Sequence, residues 1–371
     1  MSRDISRLWL STALGVSVLL ILGAPFVGQV SAWLRDVARG YYSTVLAAIV
    51  VTTATLAVVA AATRIRDRRA FRYGMLAAAV LIATTYARFS ASGVADVDAA
   101  ERFHIIEYGL VAVLFYKAAQ PAGDASVLIV PIVAGFVIGT LEEWLQWFVP
   151  GRVGEARDVL LNLIAVGCGL LFSLGLDPSH DLRFELLPAS RRRLAVLSVV
   201  AVMTFAGFFQ SVHLGHDIVD RDAGVFRSRY SAGELADLSR ARSAVWQTTP
   251  PMTQARLARE DQYLTEGIAH IRRRNERWSE GNLLAARHEN LILERYFAPV
   301  LDTASYLSAT PNRWPPEQRA QAETQSSGSP GFMIYDSDAL PYPMYTWPRW
   351  LYWLVVAGVA GAVLRALNPR A

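Results

Sequence analysis

The chain has 371 residues, 53% of them apolar, and its mean hydropathy is positive, which excludes an ordinary soluble protein of this length. The formal charge is +4. Most of that charge is arginine flanking apolar runs, so the pI near 9.3 reads as a membrane signature and not as nucleic-acid binding.

Eight apolar runs approach the length that crosses a bilayer, at about 8–30, 43–62, 73–89, 103–118, 127–149, 158–176, 194–210 and 349–366. The first, "LWLSTALGVSVLLILGAPFVGQV", is longer than the core of a signal peptide and lacks a small-x-small cleavage site, so it reads as a retained helix. With a cytoplasmic N-terminus, fourteen basic residues fall in inside segments, among them Arg64, Arg72, Lys117 and Arg183, and six fall in short outside loops. That bias predicts both termini cytoplasmic. Lys117 is the only lysine and Cys168 the only cysteine; Cys168 lies in an apolar run and reads as a packing residue.

Four parts follow in order. Residues 1–176 hold six spans on short loops. Residues 177–210 are a basic loop and a seventh span. Residues 211–348 form a long polar segment placed outside the cytoplasm, and 349–371 are the last span and a short tail. The polar segment is expected to be helical. Ser231 and Glu234 make a capping box before one helix. A second helix is predicted over Thr253–Ser279, a tight "EGN" turn follows, and a third ends near Pro299. Residues 310–346, rich in Pro, Ser, Gly and Gln, predict an extended linker. Tyr345, Trp347, Trp350, Tyr352 and Trp353 crowd the start of the last span as an interfacial anchor. The fold class is therefore all-α: a polytopic transmembrane bundle with a helical extracytoplasmic domain before the last span.

One polar stretch interrupts the apolar runs. In the fifth span Gly135 and Gly139 form a small-xxx-small pair that permits close helix contact. Glu142 and Glu143 follow, sharing a face with Gln146. Pro150-Gly151 turns the chain, Arg152 enters the loop, and Asp158 and Asn162 share a face at the start of the sixth span. The fourth span opens with His104, Glu107 and Tyr108 on one stripe. In this topology His104, Glu107, Tyr108, Glu143, Gln146, Arg152, Asp158 and Asn162 lie at one depth on the outer side. Charged groups there are costly and need protein or a wet cavity around them.

These residues carry a resemblance. "HIIEY", "EEWLQWFVPGR" and "RDVLLNLIAVGCG" resemble the VanZ-like family of bacterial membrane proteins, matching at His104, Glu107 and Tyr108, at Glu143, Gln146, Phe148, Pro150, Gly151 and Arg152, and at Asp158, Asn162 and Gly167. The resemblance covers roughly residues 40–176. It implies a cell-envelope role near glycopeptide (teicoplanin) resistance.

Three readings of the cluster stand. In the first it binds a polar envelope group, such as a lipid-linked phosphate, a peptidoglycan precursor or a glycopeptide, with Arg152 as the anion contact. In the second the same groups only pin three helices together. In the third they form a metal or acid–base hydrolase. "EEWLQWF" is superficially similar to the Glu-Glu-x-x-x-Arg stretch of intramembrane CAAX-type proteases, but Trp147 stands where that arginine belongs. A weaker metal candidate is the His213, His216, Asp217 run. No cofactor is expected. The expected partners are membrane lipids, cell-wall or polysaccharide precursors and envelope proteins, with no nucleic acid. Acidic residues such as Asp261 and Glu266 read as plain helix surface.

Overall fold

The computed structural model describes residues 3–38, 41–89, 93, 95–149, 154–179, 182–248, 261–305, 307–326 and 334–367. Two compact units emerge. The first comprises 1–146, 154–208 and 353–371, and the second 147–153 and 209–352.

The first unit is helical. Its helices are α1 (Arg3–Gly23), α2 (Val27–Ala38), α3 (Tyr42–Arg64), α4 (Arg69–Phe89), α5 (Ala95–Ala119), α6 (Ser126–Gln146), α7 (Ala156–Leu176) and α8 (Pro188–His213), together with most of the chain's last helix. Seven of the described helices are long and apolar enough to cross a membrane. The chain is thus a multi-pass membrane protein by helix length and composition. Of the eight runs expected, the fourth, now α5, is outside that set. It is 25 residues long, but its N-terminal half carries Asp98, Glu101, Arg102, His104 and Glu107. The first run is not one helix either. α1 ends at Gly23, and a short 3-10 turn over Ala24–Phe26 precedes α2, because Pro25 has no N–H to continue the ladder.

The core of this unit lies among α5, α6 and α7. Tyr108, Val111, Ala112, Phe115, Ala134, Ile138, Ala165 and Val166 are buried together, with Ala13 of α1. Small residues allow the close approach. A Cβ on Gly135 would lie 2.4 Å from a Val166 methyl, so the expected small-residue face of α6 is the face that meets α7. On α7, a Cβ on Gly169 would lie 2.4 Å from the carbonyl oxygen of Gly109 and 2.7 Å from its Cα, so there α5 and α7 touch backbone to backbone. In contrast, α3 is mostly uncovered, with Val51, Leu56 and Val58 each above 60% exposed, as suits a face turned to acyl chains.

The C-terminal end of α7 is fastened from two sides. Arg72 of α4 is 5% exposed; its Nε donates to Gly175 O at 2.8 Å and its Nη2 to Leu176 O at 2.7 Å. From the last turn of α5, Tyr116 Oη donates to Asp177 O at 2.9 Å and Lys117 pairs with the Asp177 carboxylate. Carbonyls that a helix end leaves without partners are satisfied by one guanidinium and one hydroxyl, and Lys117 neutralises the residue that closes the helix.

The second unit is built on a two-stranded antiparallel hairpin and helices. Strand β1 (His216–Asp220) pairs with β2 (Gly224–Ser228), Ile218 opposite Phe226. α9 (Ala232–Trp246) starts at Ser231, and the Ser231–Glu234 capping box is present. α10 (Asp261–Ser279) and α11 (Leu283–Tyr296) form a helical hairpin, turning through Gly281 at φ +76°. The predicted N-terminal part of that helix, 253–260, lies outside the described residues. α12 (Ala298–Asp302) is one short turn. Tyr263, Ile268, Ile271, Ile292, Leu293, Phe297 and Leu301 form the core with Phe226 and Leu235.

Two expectations change here. The polar segment is not purely helical: "HDIVD" and "GVFRS" have the alternation of half-buried strands around a turn. Nor do the described residues between 310 and 346 form an extended linker. α13 (Pro316–Ser326) buries Ala322 against Trp314 and Ala286. The stretch from 334 to 345 is bonded to the hairpin and to the end of α8, with Val225 N donating to Tyr335 O at 2.7 Å and Tyr345 N to His213 O at 2.7 Å. The chain ends in α14 (Arg349–Leu367). At its start Tyr345, Trp347 and Trp350 are exposed, while Tyr352 is buried.

Candidate functional site

In the first unit, α5, α6 and α7 bring His104, Glu107, Tyr108, Glu143, Gln146, Asp158 and Asn162 into one neighbourhood. Arg152, with Pro150 and Gly151, lies outside the described residues. On α6 the carboxylates fall in the last turn, and Glu142, Glu143 and Gln146 are each no more than 5% exposed. A hydrogen-bonded chain runs through them. Tyr108 Oη donates to Glu142 Oε2. Gln146 Nε2 bridges the two carboxylates, 3.2 Å from Glu142 Oε1 and 3.2 Å from Glu143 Oε1. The backbone N–H of Glu155, just before α7, donates to Glu143 Oε2 at 3.3 Å. Glu142 thus holds the centre of the cluster, although the sequence reading singled out Glu143. Its i, i+4 spacing to Gln146 was the available signal.

Other groups stay open. His104 Nδ1 is 3.2 Å from Glu107 Oε2, within ion-pair distance but not aligned for a hydrogen bond. Asn162 is 3% exposed, and its Nδ2 has no hydrogen-bond partner among the described residues. That amide flanks Gly139. A Cβ there would meet Asn162 Nδ2 at 3.4 Å and Tyr108 Cε1 at 3.5 Å. It would also meet Asn162 Cβ at 3.2 Å, so Gly139 keeps a gap narrower than a methyl between the buried amide and the Tyr108 ring. The indole N–H of Trp144, a residue the sequence reading passed over, is also buried without a partner among the described residues. Asp158, in the first turn of α7, is half-buried. Asp158 and Glu142 both lie close enough to Glu143 for their charges to repel its own. The described cluster holds four carboxylates and one imidazole, with Glu107, Glu142 and Glu143 acting on His104. Such a set accepts hydrogen bonds from a ligand more readily than it holds an anion.

The His213, His216, Asp217 run does not make a metal centre. His213 closes α8 and its Nδ1 lies 2.8 Å from Pro343 O, while Asp217 reaches Arg227 across the hairpin at 3.3 Å. His216 and Asp217 are neighbours on a strand and so point to opposite faces. Among the described residues no group of three His, Cys, Asp or Glu side chains could hold an ion.

A second polar constellation escaped the sequence reading altogether. Gln262, Glu266, His270 and Arg274 repeat every four residues along α10, and each is no more than 2% exposed. Gln262 Nε2 donates to Trp147 O at 2.8 Å. Glu266 accepts from Ser228 Oγ at 2.5 Å and Arg229 N at 3.0 Å. His270 Nδ1 lies 2.7 Å from Glu289 Oε2, and Glu289 Oε1 accepts from Tyr335 Oη at 2.5 Å and Ser337 Oγ at 2.6 Å. Arg274 donates to Asn290 Oδ1 at 3.0 Å and Asn312 O at 2.8 Å, over the ring of Trp314. Glu266 and its neighbours are thus interior pins and not helix surface. The stripe binds α10 to the hairpin, to α11 and to the stretch around 335–337.

Burial pushes the Glu266 carboxyl up to about 7, against the opposing hydrogen bonds from Ser228 and Arg229. A carboxyl raised on folding favours the folded state while protonated. Its contribution is full below the ordinary value of 4.5 and is lost as pH rises through about 7. Thermal unfolding of the second unit, followed by tryptophan fluorescence in detergent, is expected to lose about 3 kcal/mol across that window. Glu266→Gln is expected to flatten the slope. A slope unchanged in the Gln variant would show that another group sets it.

No protein-family model, no curated protein and no solved structure matches this chain.

Proposed function

We propose that the chain is a VanZ-like membrane protein of the bacterial cell envelope whose three-helix cluster binds a polar envelope group from the outer leaflet. The observation that carries this reading is Asn162. A buried amide donor without a partner costs about 1–3 kcal/mol, and it sits beside Tyr108, a member of the same cluster as Glu142, Gln146 and Glu143. A ligand offering both an acceptor for Asn162 and donors for the carboxylates completes the set. The hydroxyls and amides of a peptidoglycan precursor, or the amide and ammonium groups of a glycopeptide, have that chemistry. Arg152 would add a contact for a lipid-linked phosphate. Residues 211–348 would then lie outside the cytoplasm, open to precursors or envelope proteins.

A scaffold role is the second reading, favoured by the unbroken chain Tyr108–Glu142–Gln146–Glu143–Glu155. One substitution separates the two. Asn162→Leu removes the unpaired donor while keeping the branched shape and heavy-atom count, so the bundle is expected to become more stable by about 1–2 kcal/mol. On the binding reading it also abolishes complementation in a glycopeptide or envelope-stress susceptibility assay, as do alanine at Arg152, Glu143 and Asp158, with membrane abundance kept. Wild-type susceptibility in all four variants would sink the binding reading. Loss that tracks loss of folded protein would leave the scaffold.

A further inference from the structure

A groove of about 430 Å³ lies between α4 and α7 in the first unit, with Leu81, Ile82, Phe89, Leu161 and Ile164 among its apolar walls and Arg157 as its one charged lining residue. On α7, residues 157, 161 and 164 share the stripe that lines this groove, and 158 and 162 share the next, which belongs to the polar cluster. The groove is thus separate from that cluster. Arg157 is exposed and makes no hydrogen bond or ion pair among the described residues, although its charge acts on the Glu155 carboxyl two residues before it. It stands in the first turn of α7, where the helix dipole disfavours a cation, so it does not serve to stabilise the helix. The Glu155 side chain caps none of the N–H groups there.

We infer that this groove holds one acyl chain of an anionic phospholipid, with the lipid phosphate against Arg157. The charge selects the occupant. An arginine at the end of an apolar groove between membrane-crossing helices has a planar fork for phosphate oxygens. A methylene fills roughly the ~30 Å³ of a liquid water, so the groove takes roughly a dozen of them, most of one chain. Phosphatidylcholine carries the same phosphate beside a choline ammonium that opposes Arg157, so the net anionic lipid is favoured by the contribution of one arginine near a lipid surface, about fivefold in affinity. The inference depends on the membrane character of α4 and α7, and not on what the polar cluster binds.

The test is native mass spectrometry of the full-length protein in mild detergent, titrated with dioleoyl phosphatidylglycerol or dioleoyl phosphatidylcholine. Wild type is expected to retain phosphatidylglycerol about fivefold better. Arg157→Gln is expected to erase the preference, chiefly by lowering phosphatidylglycerol retention. Leu161→Trp, which fills the groove, is expected to lower retention of both lipids. Asn162→Leu is expected to keep the wild-type preference, whatever it does to the envelope phenotype. Equal retention of the two lipids by wild type, or an intact preference in a folded Arg157→Gln protein, would overturn the assignment. So would competition by inorganic phosphate alone at the same concentration as the lipid. If Leu161→Trp fails to yield monodisperse protein, Thr85→Trp on the facing helix serves in its place.

Discussion

Gly169→Ala is expected to be severely damaging to the packing of α5 on α7, and Gly167→Ala two residues away to be nearly silent. The added Cβ at Gly169 meets backbone, 2.4 Å from Gly109 O and 2.7 Å from its Cα, whereas nothing lies within 4 Å of one at Gly167. Side chains can rotate away from an overpacked contact, but a helix backbone cannot, so α5 and α7 must separate. Overpacking typically costs about 1–3 kcal/mol, and a backbone clash falls at or beyond the top of that range. Separation also pulls His104, Glu107 and Tyr108 away from Asp158 and Asn162. Thermal midpoints by fluorescence-detected size exclusion check it: a large drop or aggregation for Gly169→Ala, and a change within about 0.5 kcal/mol for Gly167→Ala. Ala112→Gly relieves only the third neighbour, a Cβ at 2.9 Å, and is expected to give little rescue. Equal behaviour of the two glycine variants would refute the backbone contact.

The second large effect is expected at Glu289. One carboxylate, 0% exposed, serves His270, Tyr335 and Ser337 together. Glu289→Ala leaves an imidazole and two hydroxyls without their acceptor, and breaking a buried pair from one side costs about 3–5 kcal/mol. The second unit is expected to unfold at ordinary growth temperature, with the stretch around 335–337 released first. Limited proteolysis with mass mapping reads that directly, and protection equal to wild type would refute the pinning role. Burial alone would raise the Glu289 carboxyl, but the charge and hydrogen bond of His270 and the bonds from Ser337 and Tyr335 outweigh it and hold the group below the usual carboxylate range. Its contribution is present above the ordinary value of 4.5 and is lost as pH falls through the depressed value. Glu266 acts in the opposite sense at higher pH, so the second unit is expected to be most stable in mildly acidic solution.

The parts of this architecture that the sequence made legible are those set by long-range composition or by local chemistry. The membrane character of the helices followed from apolar length, the α9 start from Ser231 and Glu234, and the α10–α11 turn from Gly281. Gly135 and Gly139 marked the α6 face that meets α7. What stayed hidden depends on distant partners. Gln262, Glu266, His270 and Arg274 look like the polar face of a surface helix, because polar residues at a spacing of four are what an exposed face also shows. Only Ser228, Glu289 and Asn290, brought in from elsewhere in the chain, reveal them as interior. Arg72 and Lys117 look like charges that set orientation, yet Arg72 also bonds the last carbonyls of α7 and Lys117 pairs with Asp177 just beyond them. The Gly169 contact was missed because its partner, Gly109, lies on another helix 60 positions earlier.

The fastening of α7 by Arg72, Tyr116 and Lys117 has a mechanical consequence. Held at Gly175, Leu176 and Asp177, the helix is a lever whose fulcrum is at one end. At 1.5 Å per residue Asn162 lies about 20 Å from that fulcrum, so each degree of tilt moves it about 0.4 Å. Arg157 and Asp158 travel further still. A tilt of two or three degrees, too small to disturb the core near the fulcrum, is therefore enough to open or close the gap beside Gly139 by the length that separates a hydrogen bond from none.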